Sequence, residues 1–439
     1  MRTLTCTHGA ARSRSWQSAI LATALIAQGC AASDKPNEAQ FPSYIDRAET
    51  QAQNGLSVTA GLPTAGEARE IYGVDLAGKL IQPVWIEIRN DTEYPYWLLP
   101  AGLDPNHFSA SEAAYAFRTS DPGDQSIGRR FDALNFRNPV MPGSTVSGFV
   151  LANLDEGVKV IDVDVVSRHG AKSFTFIAVD PTFSFVSKRI DFESIYRQDE
   201  LIEVEGEDKL RALLEALPCC TTNANGDEAG DPLNLVLIGA FREIAGAMVR
   251  RGWHPTEIIS AESVWRTIAA FLRGSRYRYS PISPLYVFSR PQEFAAQKAR
   301  SSIHERNHAR FWLTPIRYRG RAVFVGQISR DIGIKYTLKS PTISTHKIDP
   351  NVDEARRYLL EDLAYSQALD RIGFVRGVGA ADKGAPRTNL VGDPYYTDGL
   401  RAVLFIEPRP RALNEIDLIE WERPPSPVGS RLEISLDAE

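Results

Sequence analysis

A pair of histidines four residues apart, with a glutamate after the first, is the clearest candidate for catalytic chemistry in this chain. His304, Glu305 and His308 spell H-E-x-x-H within the stretch IHERNHARFW. On a helix this spacing puts both imidazoles on one face for zinc and makes the glutamate a general base. The following residues favour a strand instead, because polar and apolar side chains alternate from His308 onward and Pro315 would stop a helix. We therefore expect no metal and no other cofactor; if zinc is bound, His304 and His308 are the candidate ligands and Glu305 is the base.

A second set of polar residues falls on three predicted strands that follow one another. The set consists of His308 and Arg310, then Arg330 and Asp331, then His346 and Asp349. If these strands are neighbours in one sheet, the side chains could converge. Arginine binds phosphate through paired hydrogen bonds and histidine can transfer protons, so such a set suits an anionic ligand or phosphate-ester chemistry. Because structural ion pairs mimic active sites, a network that only supports the fold is the more conservative interpretation.

The N-terminus has the pattern of an export signal. Arg12 and Arg14 precede the apolar stretch AILATALIA, which is too short to span a bilayer. The following QGC, which ends at Cys30, resembles the lipobox of bacterial lipoproteins, in which the cysteine is acylated and the signal removed. The resemblance implies a signal peptide at residues 1–29 and a palmitate-type anchor on Cys30. Ala31 after the cysteine favours the outer membrane over the inner one; an ordinary secretory signal cut nearby is the alternative.

Two of the four cysteines, Cys219 and Cys220, would remain available once the signal is removed and Cys30 is acylated. Neighbouring Cα atoms lie about 3.8 Å apart, which is below the usual range for a disulfide. In an oxidising compartment we nevertheless favour a vicinal disulfide that stiffens a loop. A redox or metal-sensing role for the pair is the alternative.

Hydrophobic patterning divides the rest of the chain into two folded regions and predicts an α+β protein. Residues 30–54 read as a flexible tether. Short alternating stretches such as QPVWIEIRND and KVIDVDVV predict a β-sandwich-like domain at residues 55–190. Residues 191–230 read as a helical linker with a Cys-Cys loop. Strands and helices then mix without strict alternation, which predicts an α+β domain at residues 231–410 with a mixed or antiparallel sheet and about three helices. Residues 411–439 read as a C-terminal tail.

Composition and missing motifs exclude several functional classes. The formal net charge of −5 is small and the charges are mixed along the chain, which argues against nucleic-acid binding. The sequence contains no G-x-S-x-G, no P-loop and no G-x-G-x-x-G after a strand, so serine-hydrolase and nucleotide-binding functions have no support.

Several blocks of the second region together resemble a known family. GDPLNLVLIG, RGWHPTE, SPLYVFSRPQEFAAQK, HARFWLTP, HKIDPNVDEARRYLLEDL and TDGLRAVLFI are similar, in order and spacing, to the LssY-like C-terminal domain family over roughly residues 215–408. Members of this family occur alone or fused to membrane modules, among them phosphatidic-acid-phosphatase-type domains. The resemblance brings no established activity and no catalytic residue set, and the preceding region resembles parts of bacterial envelope lipoproteins of uncharacterised function.

Together these observations predict a lipoprotein of the cell envelope, anchored through Cys30 and facing the periplasm. We expect a binding or accessory role for an anionic lipid, a phosphorylated compound or a glycan, with an envelope protein as a further partner class. The alternative is a hydrolase that acts on phosphate esters through His308, Arg310 and His346, or that depends on zinc.

Overall fold

The computed structural model describes residues 42–118, 125–155, 158–181, 191–255, 284–299, 306–336, 344–408 and 410–425. The predicted signal peptide at residues 1–29, the acylation of Cys30 and the roles of His304 and Glu305 concern residues outside these ranges.

Two sheets build the N-terminal region. Its strands are β1 (Glu49–Gln53), β2 (Leu56–Gly61), β3 (Ile81–Asn90), β4 (Trp97–Leu99), β5 (Ser144–Asn153), β6 (Val158–Ser167) and β7 (Gly170–Val179). One sheet has the order β1-β2-β3-β5 and the other has the order β4-β6-β7, and all pairs are antiparallel. Alternate side chains of β3, such as Ile86 and Ile88, share a buried cluster with Val163 and Val165 of β6, as expected where one face of each strand is apolar.

Short helices pack beside these two sheets. They are α1 (Ala65–Tyr72), α2 (Pro100–Leu103), α3 (Ala110–Tyr115) and α4 (Ser126–Leu134), with a 3-10 helix at Ala77–Lys79. Capping boxes begin α1, where Thr64 pairs with Glu67, and α3, where Ser109 pairs with Glu112.

The predicted tether and the predicted helical linker both contain strands that the sequence did not indicate. Within the predicted tether, β1 pairs with β2 along its whole length; its sequence, ETQAQ, lacks apolar alternation because it is a solvent-facing edge strand. The linker contains a 3-10 helix (Gln198–Glu200), β8 (Ile202–Val204), α5 (Glu207–Glu215), β9 (Cys220–Thr222) and β10 (Ala229–Pro232). Strands β9 and β10 pair where the Gly-, Asn- and Asp-rich sequence suggested only a loop, because turn residues occupy most of this short hairpin.

The C-terminal region is organised around one large sheet. Its further elements are α6 (Phe241–Arg250), α7 (Val352–Tyr365), β11 (Leu235–Ile238), β12 (His254–Pro255), β13 (Tyr286–Val287), β14 (Arg290–Pro291), β15 (Phe294–Ala299), β16 (Arg306–Tyr318), β17 (Arg321–Tyr336), β18 (Ser344–Ile348), β19 (Leu369–Val375), β20 (Arg387–Thr388), β21 (Pro394–Tyr395), β22 (Arg401–Ile406) and β23 (Asp417–Leu418), with a 3-10 helix at Leu413–Glu415. The sheet has the order β12-β15-β16-β17-β11-β22-β19-β23, with β18 added to β17 and β8 added to β16.

This sheet is mixed, because β11 and β22 are parallel whereas β15, β16 and β17 are antiparallel to their neighbours. Side chains of α6 and α7 pack in the cluster on one face, and Leu210 and Leu214 of α5 pack in a separate cluster with β11 and β22. The α+β class is confirmed, and α6 and α7 match two of the predicted helices. The predicted tail also contributes to the fold, since β23 pairs with β19.

Candidate functional site

Two neighbouring strands, β16 and β17, bring several of the candidate polar residues to one face of the large sheet. On β16 the side chains of Arg306, His308 and Arg310 point to this face. The alternating side chains of Ala309 and Phe311 point the other way and enter the core with α6 and α7. The register places His308 opposite Ser329, and Arg310 opposite Gln327, on β17. Strand β15 lies on the other side of β16. We call Arg306, His308, Arg310, Gln327 and Asp331 the polar cluster.

His308 and Asp331 form the tightest contact of the cluster. Nε2 of His308 donates to Oδ2 of Asp331 over 2.6 Å, and both residues are buried. A carboxylate in this position fixes the orientation of the imidazole and favours the form that carries a proton on Nε2. This is an arrangement that can hold or move a proton at the cluster.

Arg310 and Gln327 supply hydrogen-bond donors that the surrounding protein does not use. Nη1 of Arg310 donates to Oε1 of Gln327 over 2.9 Å. Nε of Arg310 and Nε2 of the fully buried Gln327 have no hydrogen-bond partner among the described residues. Buried nitrogen donors of this kind normally have an acceptor, and leaving one without costs about 1–3 kcal/mol. The pair therefore favours a group with oxygen acceptors beside it.

The electrostatics of the cluster are mixed. Burial lowers the pKa of Arg310, and the carboxylates of Asp231 and Asp331 oppose that effect. Burial also lowers the pKa of Arg306, again opposed by Asp331, and Nη1 of Arg306 donates to Oε1 of Gln297 over 3.2 Å. Two guanidinium groups thus lie in a poorly solvated region close to carboxylates.

Asp231 joins the cluster from β10, a residue that the sequence did not single out. Its Oδ1 accepts from Nδ2 of Asn389 over 3.0 Å. Burial raises the pKa of Asp231; Arg310 and Asn389 oppose the shift, whereas Asp393 and Asp331 add to it. A carboxyl whose pKa is raised in this way remains protonated over a wider pH range and can then donate a hydrogen bond.

Arg330, a further predicted site residue, does not join the cluster. Arg330 points to the opposite face of β17, where its Nε donates to Oδ1 of Asn307 over 3.2 Å and its guanidinium lies 5.4 Å from the ring centre of Tyr358. The expected convergence was wrong for Arg330, because adjacent residues of a strand point to opposite faces.

Two predicted residues lie on or just after β18. The backbone N–H of Asp349 donates to the carbonyl of Arg330 over 2.7 Å, and its Oδ1 accepts from the backbone N–H of Asn351 over 2.9 Å, just before α7. Asp349 therefore shapes the start of a helix. The backbone of His346 pairs with Ile334 on β17.

The H-E-x-x-H motif does not lie on a continuous helix. Strand β16 begins at Arg306, inside the motif, so His308 follows extended backbone. Within the described ranges, no three His, Cys, Asp or Glu side chains are grouped closely enough to hold a metal ion. The sulfur atoms of Cys219 and Cys220 are joined as a vicinal disulfide, with Cα atoms 3.8 Å apart.

A separate cleft of about 230 Å³ lies between the loop that follows α2 and the C-terminal end of α6. Asp155 in its lining is approached by two basic side chains. Nζ of Lys159 donates to Oδ2 of Asp155 over 2.6 Å, and Nδ1 of His254 lies 4.0 Å from Oδ1 of the same carboxylate. Because these charges are largely compensated within the protein, the polar cluster on β16 and β17 is the stronger candidate for a binding site.

Comparison with known proteins identifies the region that carries the cluster. Residues 212–400 match the family model described as the LssY C-terminus, which confirms the resemblance of the sequence blocks and includes every residue of the polar cluster. A comparison with curated proteins gave no match. Among the helices in the described ranges, none is long and apolar enough to cross a membrane.

Proposed function

We propose that this chain, whose residues 212–400 form an LssY C-terminal domain, is an envelope lipoprotein that binds an anionic, oxygen-rich ligand at the polar cluster. The observation that supports this proposal is the pair of buried donors, Nε of Arg310 and Nε2 of Gln327, that lack a partner among the described residues. A phosphoryl or carboxylate group would supply the acceptors that they need. Phosphorylated compounds, anionic lipid head groups and acidic glycans all present such groups.

The carboxylates near Arg310 would restrict which anions can bind at this site. Asp331 is held by His308, and Asp231 lies close enough to raise the electrostatic cost of a bound dianion. Protonation of Asp231 would remove one negative charge and add a donor. The ligand must therefore present its oxygens to Arg310 and Gln327 while it stays clear of the Asp331 carboxylate.

The cellular setting of the proposal follows from the sequence. A signal at residues 1–29 and acylation of Cys30 would place the protein at the periplasmic face of the cell envelope, with the outer membrane favoured. The first folded region, near residues 55–190, would act as a β-sandwich brace, and the binding domain would extend over residues 231–410. Envelope proteins, lipids and glycans are the partner classes that this location offers.

Hydrolysis is the second candidate, and the His308–Asp331 pair is the observation that favours it. An imidazole oriented by a carboxylate can act as a general base toward a water molecule beside a phosphoryl group held by Arg310. The pair is mostly buried, so it offers little room for a water and a substrate together. For this reason we place binding ahead of catalysis.

The test is calorimetric titration of the chain from Ala31 onward with inorganic phosphate, glycerol 3-phosphate and uncharged glycerol. We expect the two phosphates to bind and glycerol not to bind. Arg310→Met should weaken phosphate binding about ten- to hundredfold, since a hydrogen bond to a charged group contributes about 1.5–3 kcal/mol. Arg330→Met is the matched control, because it removes the same charge from the opposite face of the neighbouring strand.

Two results would contradict the binding proposal: no heat of binding with either phosphate, or equal loss in the Arg310 and Arg330 variants. Release of phosphate from a chromogenic phosphate ester by the wild-type chain, abolished by His308→Ala, would instead move hydrolysis to first place.

A further inference from the structure

A second surface of the protein exposes large apolar side chains together. In the three-stranded sheet, Trp97 and Leu99 of β4 point away from the core, whereas Leu98 between them is buried. Their exposed fractions are 45% and 42%. Exposed aromatic and aliphatic side chains are ordinary when scattered, but a contiguous group marks an interaction surface.

The strand register shows that these residues belong to one continuous face. Trp97 lies opposite Val166 on β6, and Val166 lies opposite Ala171 on β7. At the edge of β4 away from β6, the buried Tyr96 pairs with the buried Val140. Because side chains alternate along extended chain, Pro95 and the 53% exposed Met141 then lie on the same face as Trp97. We call the following residues the outer apolar face: Pro95, Trp97, Leu99, Met141, Val166 and Ala171.

Helix α6 covers the other part of the same sheet face. Nε of Arg250 lies 3.3 Å from Oδ2 of Asp162, and its Nη2 contacts Asp164, which is opposite Leu99 in the register. The buried ion pairs therefore end where the outer apolar face begins. The six residues of the outer apolar face are uncharged, and four of them are Trp, Leu, Met or Val.

We propose that the outer apolar face docks on the lipid bilayer that carries the anchor. This inference rests on the lipid anchor in the proposed function but not on the polar cluster. The tether between Cys30 and the first described residue, Ala31 to Phe41, has eleven residues and cannot reach farther than roughly 40 Å. A folded region held this close to a membrane meets it continually, and tryptophan with neighbouring apolar side chains is the composition that partitions into the interface.

The experiment uses the chain from Ala31 onward with an N-terminal histidine tag in place of the acyl anchor. The chain is bound to vesicles of phosphatidylethanolamine and phosphatidylglycerol that contain a nickel-chelating lipid, and brominated lipids quench tryptophans that enter the bilayer. We expect quenching in the wild type and its loss in Trp97→Phe. Leu99→Ser with Met141→Ser should lower the docked-to-undocked ratio about tenfold, since both side chains are about half exposed.

The matched control is Leu413→Ser with Leu418→Ser, which removes two side chains that are 52% and 69% exposed and lie outside this face. It should quench like the wild type. Equal quenching in the two double variants, or none in the wild type, would overturn the inference. So would a dimer in solution without vesicles that disappears in Leu99→Ser with Met141→Ser, because the face would then bind a second copy. Phosphate titration of the same variants tests the polar cluster separately.

Discussion

Arg401 should be among the most costly residues of the C-terminal domain to replace. It begins β22 and is fully buried. Within the described part of the chain, its guanidinium contacts main-chain carbonyls, namely those of Leu214, Leu217, Pro218, Leu233 and Gly377. Burial lowers the pKa of Arg401 to about 10, so the side chain stays charged at neutral pH. One cation thus joins the end of α5, the segment before the Cys219–Cys220 disulfide and the turn after β19.

The magnitude follows from the number of bonds. Each net hydrogen bond contributes about 1 kcal/mol; Nη2 has two hydrogens for three carbonyls, so the four engaged hydrogens of Arg401 suggest about 4 kcal/mol. Arg401→Met also relieves the cost of burying a charge, so we expect a loss of about 3 kcal/mol, at the lower end of the range seen when a buried charged pair is broken. A domain is stable by only about 5–15 kcal/mol. The variant should therefore lose a large part of the free energy of unfolding.

Urea denaturation followed by circular dichroism measures this loss as a shift in midpoint at constant slope. Arg401→Lys keeps the charge but has a single donor group, which cannot reach carbonyls on all sides, so we expect an intermediate loss. Arg423→Met is the control, because Arg423 is 83% exposed and surface changes stay within about 0.5 kcal/mol. A loss below about 1 kcal/mol in Arg401→Met would refute the argument that the carbonyl contacts stabilise this junction.

Two further predictions concern buried charges. Sulfate, whose charge is constant with pH, should bind the polar cluster more weakly as pH rises through the raised pKa of Asp231, because the protonated carboxyl loses a proton and gains a repelling charge. Calorimetry should find that Asp231→Asn removes this pH dependence. A pH dependence that persists in the variant would exclude Asp231 as its source. Arg250→Met leaves the buried Asp162 and Asp164 without their cation and should cost about 3–5 kcal/mol in urea denaturation. Arg242→Met on the same helix removes a surface pair and should cost less than about 1 kcal/mol. Equal losses in the two variants would contradict the conclusion that Arg250 stabilises the contact between α6 and β6.

The sequence was informative where side chains alternate over a long strand. The pattern from His308 to Leu313 predicted a strand. The structure has this strand as β16, which begins two residues before His308, at Arg306. The same alternation correctly put His308 and Arg310 on one face. The continuous apolar run LNLVLIGA likewise contains β11, which is buried on both faces and therefore lacks alternation.

The sequence was misleading where a contact depends on which face of a strand a residue occupies, or on the pairing of strands whose sequences are rich in turn residues. Arg330 was grouped with Asp331, although neighbouring residues of a strand cannot share a face. Asp231 was missed because the turn-rich sequence around it hid the pairing of β10 with β9. Gln327 carried the one available signal, a polar residue at a buried position in the apolar stretch VFVGQIS, and only the register with Arg310 shows its importance.

The geometry of the polar cluster depends on the hydrophobic core behind it. Between Asn307 and Leu313 the pairing of β16 with β17 is uninterrupted, and the register shifts lie beyond the cluster, after Leu313 and after Asp331. A slip of one residue in this interval would move Ile328 to the polar face and Gln327 into the core. Since Ile328 and Phe311 pack in the main core cluster, burial of these apolar residues fixes the register that aligns Arg310 with Gln327. The position of the two unused donors is thus a consequence of core packing, which explains why a strand that is largely apolar can present a polar site at a defined place.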